Sequence, residues 1–268
     1  EEKQISSDHR LVLINLKTNS GVGSAIGRGY KWARDQKIDC TAVMAGDGQM
    51  DPDELITICQ PVIDERIDYV KGDRLSHPSA SVFIPKIRFF GNSILSILTK
   101  IASGYWHVSD TQTGYTAISY NALTRIKLHK IYPRYGMPND ILVKLNIAQC
   151  TLKEVEIKPV YNIGEKSKMK VFKLITRISM LLLLSFFRRI WRRYFLKSFH
   201  PLFILYHMAF LLILISIPFG VKLLRVAIAG QDANPLTALA FTFAFISGFQ
   251  SLLFAMWMDI QDNERLYK

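Results

Sequence analysis

Short apolar runs alternate with helical patterns along the first 160 residues. Leu11 to Leu16 and Thr41 to Ala45 have the length of buried strands, and Tyr69 to Lys71 is a third run of the same kind. A helical pattern over about residues 24–34 separates the first two runs. A second helical pattern begins at Pro52, where proline and acidic residues fill the first turn. This alternation predicts βαβ units in an α/β domain with a mainly parallel sheet.

Three further elements complete this part of the chain. Ile87 to Gly104 has a helical pattern, and Thr113 to Ser119 and Val155 to Tyr161 have the composition of strands. In sheets of this class, ligands bind beyond the carboxyl ends of the strands. We therefore expect the residues that follow two of the strands, Asp47 and Gly72 to Arg74, to lie at the same edge of the sheet.

The last hundred residues follow a different pattern. Residues 166–197 alternate Lys and Arg with apolar residues, which is typical of helices that lie in a bilayer interface. Phe199 to Leu224 and Pro235 to Ile260 are then longer than the roughly 20 residues needed to cross a membrane. The alternative, a helical hairpin buried in a soluble core, is disfavoured because core helices are rarely apolar on all faces over that length.

These patterns predict four segments. They are a catalytic domain over residues 1–164, basic amphipathic juxtamembrane helices over 165–198, a two-helix transmembrane hairpin over 199–260 and a tail over 261–268. The tail and the catalytic domain flank an even number of spans, so both are expected on the same side of the membrane.

The charge distribution orients the spans. The chain has 34 Lys and Arg against 22 Asp and Glu, a formal net charge of +12. Nucleic-acid binding would explain this excess but not the apolar spans, so we expect no nucleic-acid partner. Ten basic residues directly precede the first span: Lys166, Lys168, Lys170, Lys173, Arg177, Arg188, Arg189, Arg192, Arg193 and Lys197. By the positive-inside rule, they predict a multi-pass protein whose catalytic domain and tail are cytoplasmic.

The turn after the second predicted strand carries candidate metal ligands. Asp47 and Gln49 lie within Ala45-Gly46-Asp47-Gly48-Gln49-Met50-Asp51-Pro52. Mg²⁺ or Mn²⁺ would take one or two carboxylate ligands here and share the rest with diphosphate oxygens. Taken alone, the segment is also typical of an ordinary acidic turn at a strand end.

A glycine-rich segment after the first predicted strand invites comparison with dinucleotide-binding loops. Its spacing, Gly21-Val22-Gly23 with Gly27, is G-x-G-x-x-x-G rather than G-x-G-x-x-G, and no acidic residue ends the next strand at the expected distance. The glycines therefore indicate a tight turn and close helix packing rather than a dinucleotide site.

Five segments in order resemble motifs of the family 2 glycosyltransferases related to dolichyl-phosphate mannose synthase. Asn19-Ser20-Gly21-Val22-Gly23-Ser24-Ala25-Ile26 resembles N-x-G-x-G-x-A, Asp47 to Pro52 resembles the end of D-x-D-x-Q, and Lys71-Gly72-Asp73-Arg74 resembles G-[NS]-R. Asp110-Thr111-Gln112-Thr113-Gly114-Tyr115 resembles D-x-[QS]-[ST]-G-[YF], and Tyr161 with Gly164 to Lys168 resembles Y/R-x-x-G-E-S-K. Each motif is weak alone; their order over residues 11–170 makes the resemblance specific.

The resemblance implies a GT-A fold and an enzyme. It would move a sugar from a UDP- or GDP-linked donor to a polyprenyl (dolichyl or undecaprenyl) phosphate, with inversion, using Mg²⁺ or Mn²⁺. The membrane is an implied partner, and a homo-oligomer is a further candidate. The implied site residues are Asp47, Asp110 and Asp140 in catalysis, Arg74, Arg88, Gln112 and Lys168 in substrate binding, and Asp47 and Gln49 at the metal.

Two departures from the family pattern keep alternatives open. Ala45 replaces the first Asp of D-x-D-x-Q, which removes one metal ligand unless Asp51 or another residue supplies it. The family's first strands, ending in P-x-x-N and D-D-G-S, are not visible, so we expect the chain to lack the first two βα units. The alternatives are a non-catalytic membrane scaffold with a degenerate transferase domain, and a processive polysaccharide synthase. A synthase would require Q-x-x-R-W and more spans.

Overall fold

The computed structural model describes residues 10–78, 86–160, 171–197 and 199–268, without the side chains of 86–90, 92 and 171–175. The chain divides into two compact units. The first consists of Glu1–Phe186 with Leu266–Lys268, and the second is Phe187–Arg265.

A four-stranded mixed sheet organises the first unit. Its strands are β1 (Cys40–Val43), β2 (Tyr69–Asp73), β3 (Thr116–Ser119) and β4 (Leu152–Glu156), in the spatial order β1-β3-β2-β4. β2 pairs parallel with β4, whereas β3 is antiparallel to both β1 and β2. The predicted α/β class is confirmed. The expected mainly parallel sheet is mixed instead. β3 lies between β1 and β2 and runs against them, so two of the three strand pairs in the described residues are antiparallel.

The helices match most of the predicted helical segments. The helices before the apolar spans are α1 (Val22–Asp35), α2 (Leu55–Ile63), α3 (Lys86–Ser103), α4 (Tyr120–Arg125), α5 (Met137–Ile147) and α6 (Val171–Arg189). Short 3₁₀ turns cover Pro52–Glu54 and Leu128–Lys130, and a π-helical segment, Ile190–Phe195, continues α6. The sequence patterns predicted α1 to α3, whereas α4 and α5 were missed.

Core residues lie on both faces of the sheet. Successive side chains of a strand point to opposite faces. In β2, Tyr69 packs with Tyr30 of α1 and Ile141 of α5, whereas Val70 packs with Ile58 of α2. Because β2 is an inner strand covered on both faces, all five of its residues are buried.

The glycines at the start of α1 allow the chain to approach closely. Gly21 has a φ of 93°, in the region that favours glycine. A Cβ on Gly23 would lie 2.0 Å from the carbonyl oxygen of Tyr132, so a larger residue would collide with that loop. These contacts confirm the predicted tight turn and close packing.

Two strand predictions need correction. Leu11 to Leu16 forms no strand, and its large apolar side chains are 36% to 58% exposed. An apolar run becomes a strand only where a neighbour supplies hydrogen bonds, and no strand in the described part of the chain pairs with this one. The last predicted strand, Val155 to Tyr161, begins earlier and ends at Glu156, because its partner β2 ends at Asp73. Residue 161 lies outside the described residues.

The second unit contains two long helices, α7 (Pro201–Ile228) and α8 (Pro235–Glu264). Both are long and apolar enough to cross a membrane. Each begins at a capping side chain followed by proline: His200 accepts a hydrogen bond from the Leu202 amide, and Asn234 accepts one from the Leu236 amide. The two helices approach closely at Gly248, where a Cβ would lie 3.0 Å from Ile213.

Four charged residues of the second unit form ion pairs inside it. Arg189 donates two 2.7 Å hydrogen bonds to Asp259, and neither side chain is exposed. Arg193 donates to Asp262 at 2.6 Å and to Asn263 at 2.7 Å. Two of the ten basic residues counted before the first span thus pair with protein carboxylates. Asp259, which lies inside the predicted second span, carries the partner charge.

Candidate active site

The carboxyl ends of β1 and β2 meet at one edge of the sheet. In the strand register, Val43 of β1 and Lys71 of β2 both pair with Thr116, at the start of β3. Asp47 follows β1, and Arg74 follows β2. The segment before β3 begins at the same edge because β3 runs the opposite way. The prediction that these segments share an edge is confirmed.

An ion pair between Arg74 and Asp110 joins two of these segments. Arg74 Nε donates to Asp110 Oδ2 at 2.7 Å, and a second guanidinium nitrogen donates to Oδ1 at 3.1 Å. The amides of Gln112 and Thr113 also donate to Oδ1, each at 3.1 Å. Burial raises the pKa of Asp110, but Arg74 and the other donors more than offset this and lower it overall. Asp110 is therefore an ionised carboxylate that holds Arg74 in one orientation.

Two ionisable residues beside this pair, one buried and one half-buried, were missed by the sequence analysis. Lys71 is wholly buried and donates to the Thr113 carbonyl, and burial lowers its pKa to about 8. Glu154 of β4 accepts hydrogen bonds from the amides of Ser109 at 2.8 Å and Asp110 at 3.0 Å, and burial raises its pKa to about 7. The available signal for Lys71 was a lysine inside a strand whose five residues are all buried.

Gln112 connects the edge to the helices behind it. Its amide nitrogen donates to Asn139 Oδ1 and to Thr111 Oγ1, both at 2.8 Å. Asn139, on α5, is fully buried and also accepts from Thr99 of α3 at 2.8 Å. Gln112 is thus held by a buried polar network.

Asp140, the third predicted catalytic acid, is buried one residue further along α5. It accepts a 2.8 Å hydrogen bond from the Tyr132 amide and forms an ion pair with Lys144, four residues away on the same helix. These contacts fix the loop that precedes α5 against the helix.

The turn at Asp47 is exposed and locally ordered. Asp47 Oδ1 accepts from the Gln49 amide at 3.1 Å, and Asp51 Oδ1 caps the following 3₁₀ turn by accepting from the Asp53 amide at 3.0 Å. Tyr115 donates to the Asp51 carbonyl at 2.9 Å, which ties this turn to the start of β3. Within the described ranges, no group of three His, Cys, Asp or Glu side chains could hold a metal by itself. The donors fit an ion that takes most of its ligands from a diphosphate and water.

Two predicted substrate-binding side chains lie outside the described part of the chain. Arg88 belongs to α3, but its side chain is outside the described residues. Lys168 and the rest of the Y/R-x-x-G-E-S-K segment are also outside them.

A cavity at the opposite edge of the sheet is a weaker candidate. It is lined in part by Asp68, which accepts hydrogen bonds from the amide of Thr151 at 3.0 Å and from the Asn121 side chain at 2.9 Å. Arg125 also pairs with Asp68. These bonds indicate a structural role for Asp68, which links separate segments of the chain.

Comparison with known proteins decides the family. The family described as Glycosyl transferase family 2 matches residues 1–127. A UDP-N-acetylglucosamine–dolichyl-phosphate N-acetylglucosaminyltransferase of Methanococcus voltae is 30% identical over 178 residues, which cover 64% of this chain and 70% of that protein. The chain belongs to glycosyl transferase family 2. An uncharacterized protein of Methanocaldococcus jannaschii is 28% identical over 158 residues, 59% of this chain and 65% of that protein.

Family membership confirms the resemblance drawn from the five motifs, together with the GT-A-like α/β fold and the glycosyltransferase class. Among solved structures, glucosyl-3-phosphoglycerate synthase from Mycobacterium tuberculosis, in complex with Mn²⁺, UDP-glucose and phosphoglyceric acid, is 15% identical. The match covers 66% of this chain and 56% of that one, with a TM-score of 0.42.

Proposed function

We propose that this family 2 glycosyltransferase moves a sugar from a UDP- or GDP-linked donor to a polyprenyl phosphate, with inversion at the anomeric carbon. The observation that carries the proposal is the Arg74–Asp110 pair at the carboxyl edge of the sheet. It presents a guanidinium in a fixed orientation at the edge where ligands of such sheets bind. The printed name of the Methanococcus voltae relative, which specifies a dolichyl-phosphate acceptor, supports the lipid class.

The acceptor phosphate is matched by arginine chemistry. A planar guanidinium donates two parallel hydrogen bonds to phosphate oxygens, which a lysine ammonium cannot do in the same way. Arg74 has a side chain that is 20% exposed, whereas its partner Asp110 is 2% exposed. The cation can therefore meet a ligand while its carboxylate partner stays behind it. Arg88 would meet the same lipid phosphate, and Lys168 would help to close over the diphosphate or the acceptor.

The reaction needs positioning more than proton removal. The acceptor oxygen belongs to a phosphate monoester and is already anionic at neutral pH, so it needs less help from a general base than a sugar hydroxyl. It attacks the anomeric carbon from the face opposite the leaving group, the bond to the diphosphate breaks, and the nucleoside diphosphate leaves with the electron pair. Asp110 and Gln112 would line the sugar and acceptor pocket. Asp140 remains a proposed member of the acidic pair.

Asp47, with Gln49 beside it, would hold Mg²⁺ or Mn²⁺. When bound, the metal offsets the charge that develops on the leaving diphosphate. Asp47 suits this task because it is exposed at a strand end, where a donor diphosphate can supply the remaining ligands.

We further propose that the active site faces the cytoplasm. The basic residues before α7 support this orientation. The C-terminal residues add support: the Leu152 amide of β4 donates to the Leu266 carbonyl at 2.7 Å, and the Lys268 amide donates to the Leu152 carbonyl at 2.9 Å. The pairing of these residues with the catalytic sheet supports a chain that crosses the membrane twice and returns to the side it left.

A transfer assay tests the reaction. Membranes containing the protein would be incubated with radiolabelled UDP-GlcNAc, UDP-glucose or GDP-mannose and with dolichyl or undecaprenyl phosphate. We expect labelled lipid from one donor, and no labelled lipid when the unphosphorylated polyprenol replaces the phosphate. Membranes without the protein give the background. Donor binding without transfer would favour the scaffold, and a labelled polymer would favour the processive synthase.

Cysteine labelling tests the orientation. Gln231→Cys lies in the connection between α7 and α8, and Lys268→Cys is at the C-terminus; both positions are exposed. An impermeant maleimide should label residue 231 in intact cells and residue 268 only after permeabilisation. Labelling of both residues from the same side would refute the two-span topology.

A further inference from the structure

The last three residues extend the catalytic sheet. β4 is at the edge of the sheet, and Leu152 bridges to Tyr267 in a parallel arrangement. Leu266 is 3% exposed, so this segment is packed on the first unit. An open strand edge is thereby covered by residues that follow α8 directly.

The side chain of Tyr267, which lies beside the outer strand β4, contacts Glu154. Its hydroxyl donates to Glu154 Oε2 at 3.2 Å, and its ring lies 5.5 Å from that of His107. Glu154 in turn accepts from the amides of Ser109 and Asp110. A continuous set of hydrogen bonds therefore runs from the C-terminus to the backbone of the residue that orients Arg74.

The geometry makes Glu154 a support for Asp110 rather than a group that meets substrate. Both of its carboxylate oxygens are used by the Ser109–Asp110 backbone, one by each amide. Burial disfavours the charged form of this carboxyl, so each additional donor helps to keep it ionised. Tyr267 supplies such a donor, and a neutral amide in place of the carboxylate could not accept from both backbone amides.

We propose that Glu154 is a positioning residue for the transfer reaction and that Tyr267 is its partner. Glu154 fixes the Ser109–Asp110 backbone, Asp110 thereby orients Arg74, and the Tyr267 hydroxyl holds Glu154 in place. Residues 266–268, which follow α8, thus help to order the residues at the carboxyl edge of the sheet. The expected effect on acceptor binding rests on the proposed function, whereas the ordering of the Ser109–Asp110 backbone by Glu154 does not.

Hydrogen exchange tests the ordering independently of activity. The Tyr267→Phe variant removes only the hydroxyl and retains the ring beside His107. Loss of a hydrogen bond that contributes about 1 kcal/mol changes an equilibrium constant roughly fivefold. We expect amide exchange in a peptide spanning residues 107–113 to accelerate by about that factor in Tyr267→Phe, and by more in Glu154→Gln. Tyr135→Phe, which changes an exposed tyrosine, is the matched control. Exchange equal to that control in both variants would overturn the proposal.

Kinetics test the consequence for the reaction. Tyr267→Phe should raise the KM for polyprenyl phosphate about fivefold with little change in kcat or donor affinity, because Arg74 is misplaced and not removed. The double variant Tyr267→Phe, Glu154→Gln should be no worse than Glu154→Gln alone, since both changes break the same link. Additive losses would overturn the link. If no variant, nor the wild type, transfers sugar while exchange still responds, the proposed function fails and the positioning stands.

Discussion

Two groups of buried and half-buried charges, one in each unit, are built in different ways. The edge cluster consists of Lys71, Asp73, Arg74, Asp110 and Glu154. The hairpin cluster consists of Arg189, Arg193, Asp259 and Asp262. In the hairpin cluster, two cations meet two anions in direct ion pairs. The edge cluster has three carboxyl groups for two basic side chains.

The difference separates a structural role from a chemical one. The charges of the hairpin cluster pair with one another. Substitutions in this cluster should therefore lower the free energy of unfolding rather than change sugar transfer directly. In the edge cluster, burial lowers the pKa of Lys71 to about 8 and raises that of Glu154 to about 7, and Arg74 is partly exposed. Perturbed titratable groups at the carboxyl edge of a sheet mark a candidate functional site. Buried charge alone does not mark one.

The largest expected effect is a loss of unfolding free energy when the hairpin cluster is disrupted. Arg189→Met would leave Asp259 buried without its bidentate partner, which should cost about 3–5 kcal/mol of unfolding free energy. Denaturation in detergent micelles measures this. The double variant Arg189→Met, Asp259→Leu removes both charges and should recover most of the loss. Unchanged stability in Arg189→Met would contradict a structural role.

Asp47→Asn should lower turnover by about 10²-fold or more, because charge developing in the transition state loses a fixed partner. The unfolding free energy should hardly change, since Asp47 is exposed. Asp53→Asn, also exposed and in the neighbouring turn, is the control, and Asp51→Asn should have a smaller effect than Asp47→Asn. Full turnover of Asp47→Asn, with or without added Mn²⁺, would remove Asp47 from the site.

Arg74→Lys should raise the KM for polyprenyl phosphate by about tenfold, because a bidentate donor becomes a point charge. Donor affinity, measured by titration with the nucleotide sugar, should stay the same. Arg66→Lys, at an exposed position away from this edge, is the control. A defect confined to donor affinity would move Arg74 to the nucleotide side of the site.

A further expected effect is a dependence of stability on pH. The pKa of Glu154 is raised from 4.5 to about 7 by burial, so the folded state binds this proton more tightly than the unfolded state. Stability from this group is therefore greatest at low pH and falls as the pH rises from about 4.5 through 7. Glu154→Gln should flatten this part of the stability curve, and Glu65→Gln, at an exposed ion pair, should not. Equal slopes in wild type and Glu154→Gln would show that the carboxyl titrates normally.

Periodicity predicted the elements whose burial follows a simple pattern. β1, β2, α1 to α3 and both apolar helices were predicted because their apolar residues recur at strand or helix spacing or fill the whole element. The predicted strand at Leu11 to Leu16 was wrong because hydrophobicity records the capacity to be buried, and strand formation also needs a pairing partner. α5 was missed because Ile141, Leu142 and Val143 are all buried, which hides its helical period.

The candidate site could be predicted only as far as its motifs extend. The motifs identified Arg74, Asp110 and Gln112, which the structure joins into one network. Lys71 and Glu154 were missed because their meaning depends on strand pairing: they are aligned across β2 and β4, 83 positions apart in the sequence. The pairing of Arg189 with Asp259 is hidden in the same way, since it joins residues 70 positions apart.

The contrast between the two clusters is tested most directly by comparing Asp110→Asn with Asp262→Asn in one membrane preparation. The measurement is sugar transfer to polyprenyl phosphate per folded protein. Asp110→Asn should lower transfer by about 10²-fold or more, because Arg74 loses its orientation at the reacting centre. Asp262→Asn should reduce the folded fraction while transfer per folded molecule stays near that of wild type. Full transfer by Asp110→Asn, or equal losses per folded molecule in the two variants, would contradict the assignment of the sheet edge as the active site.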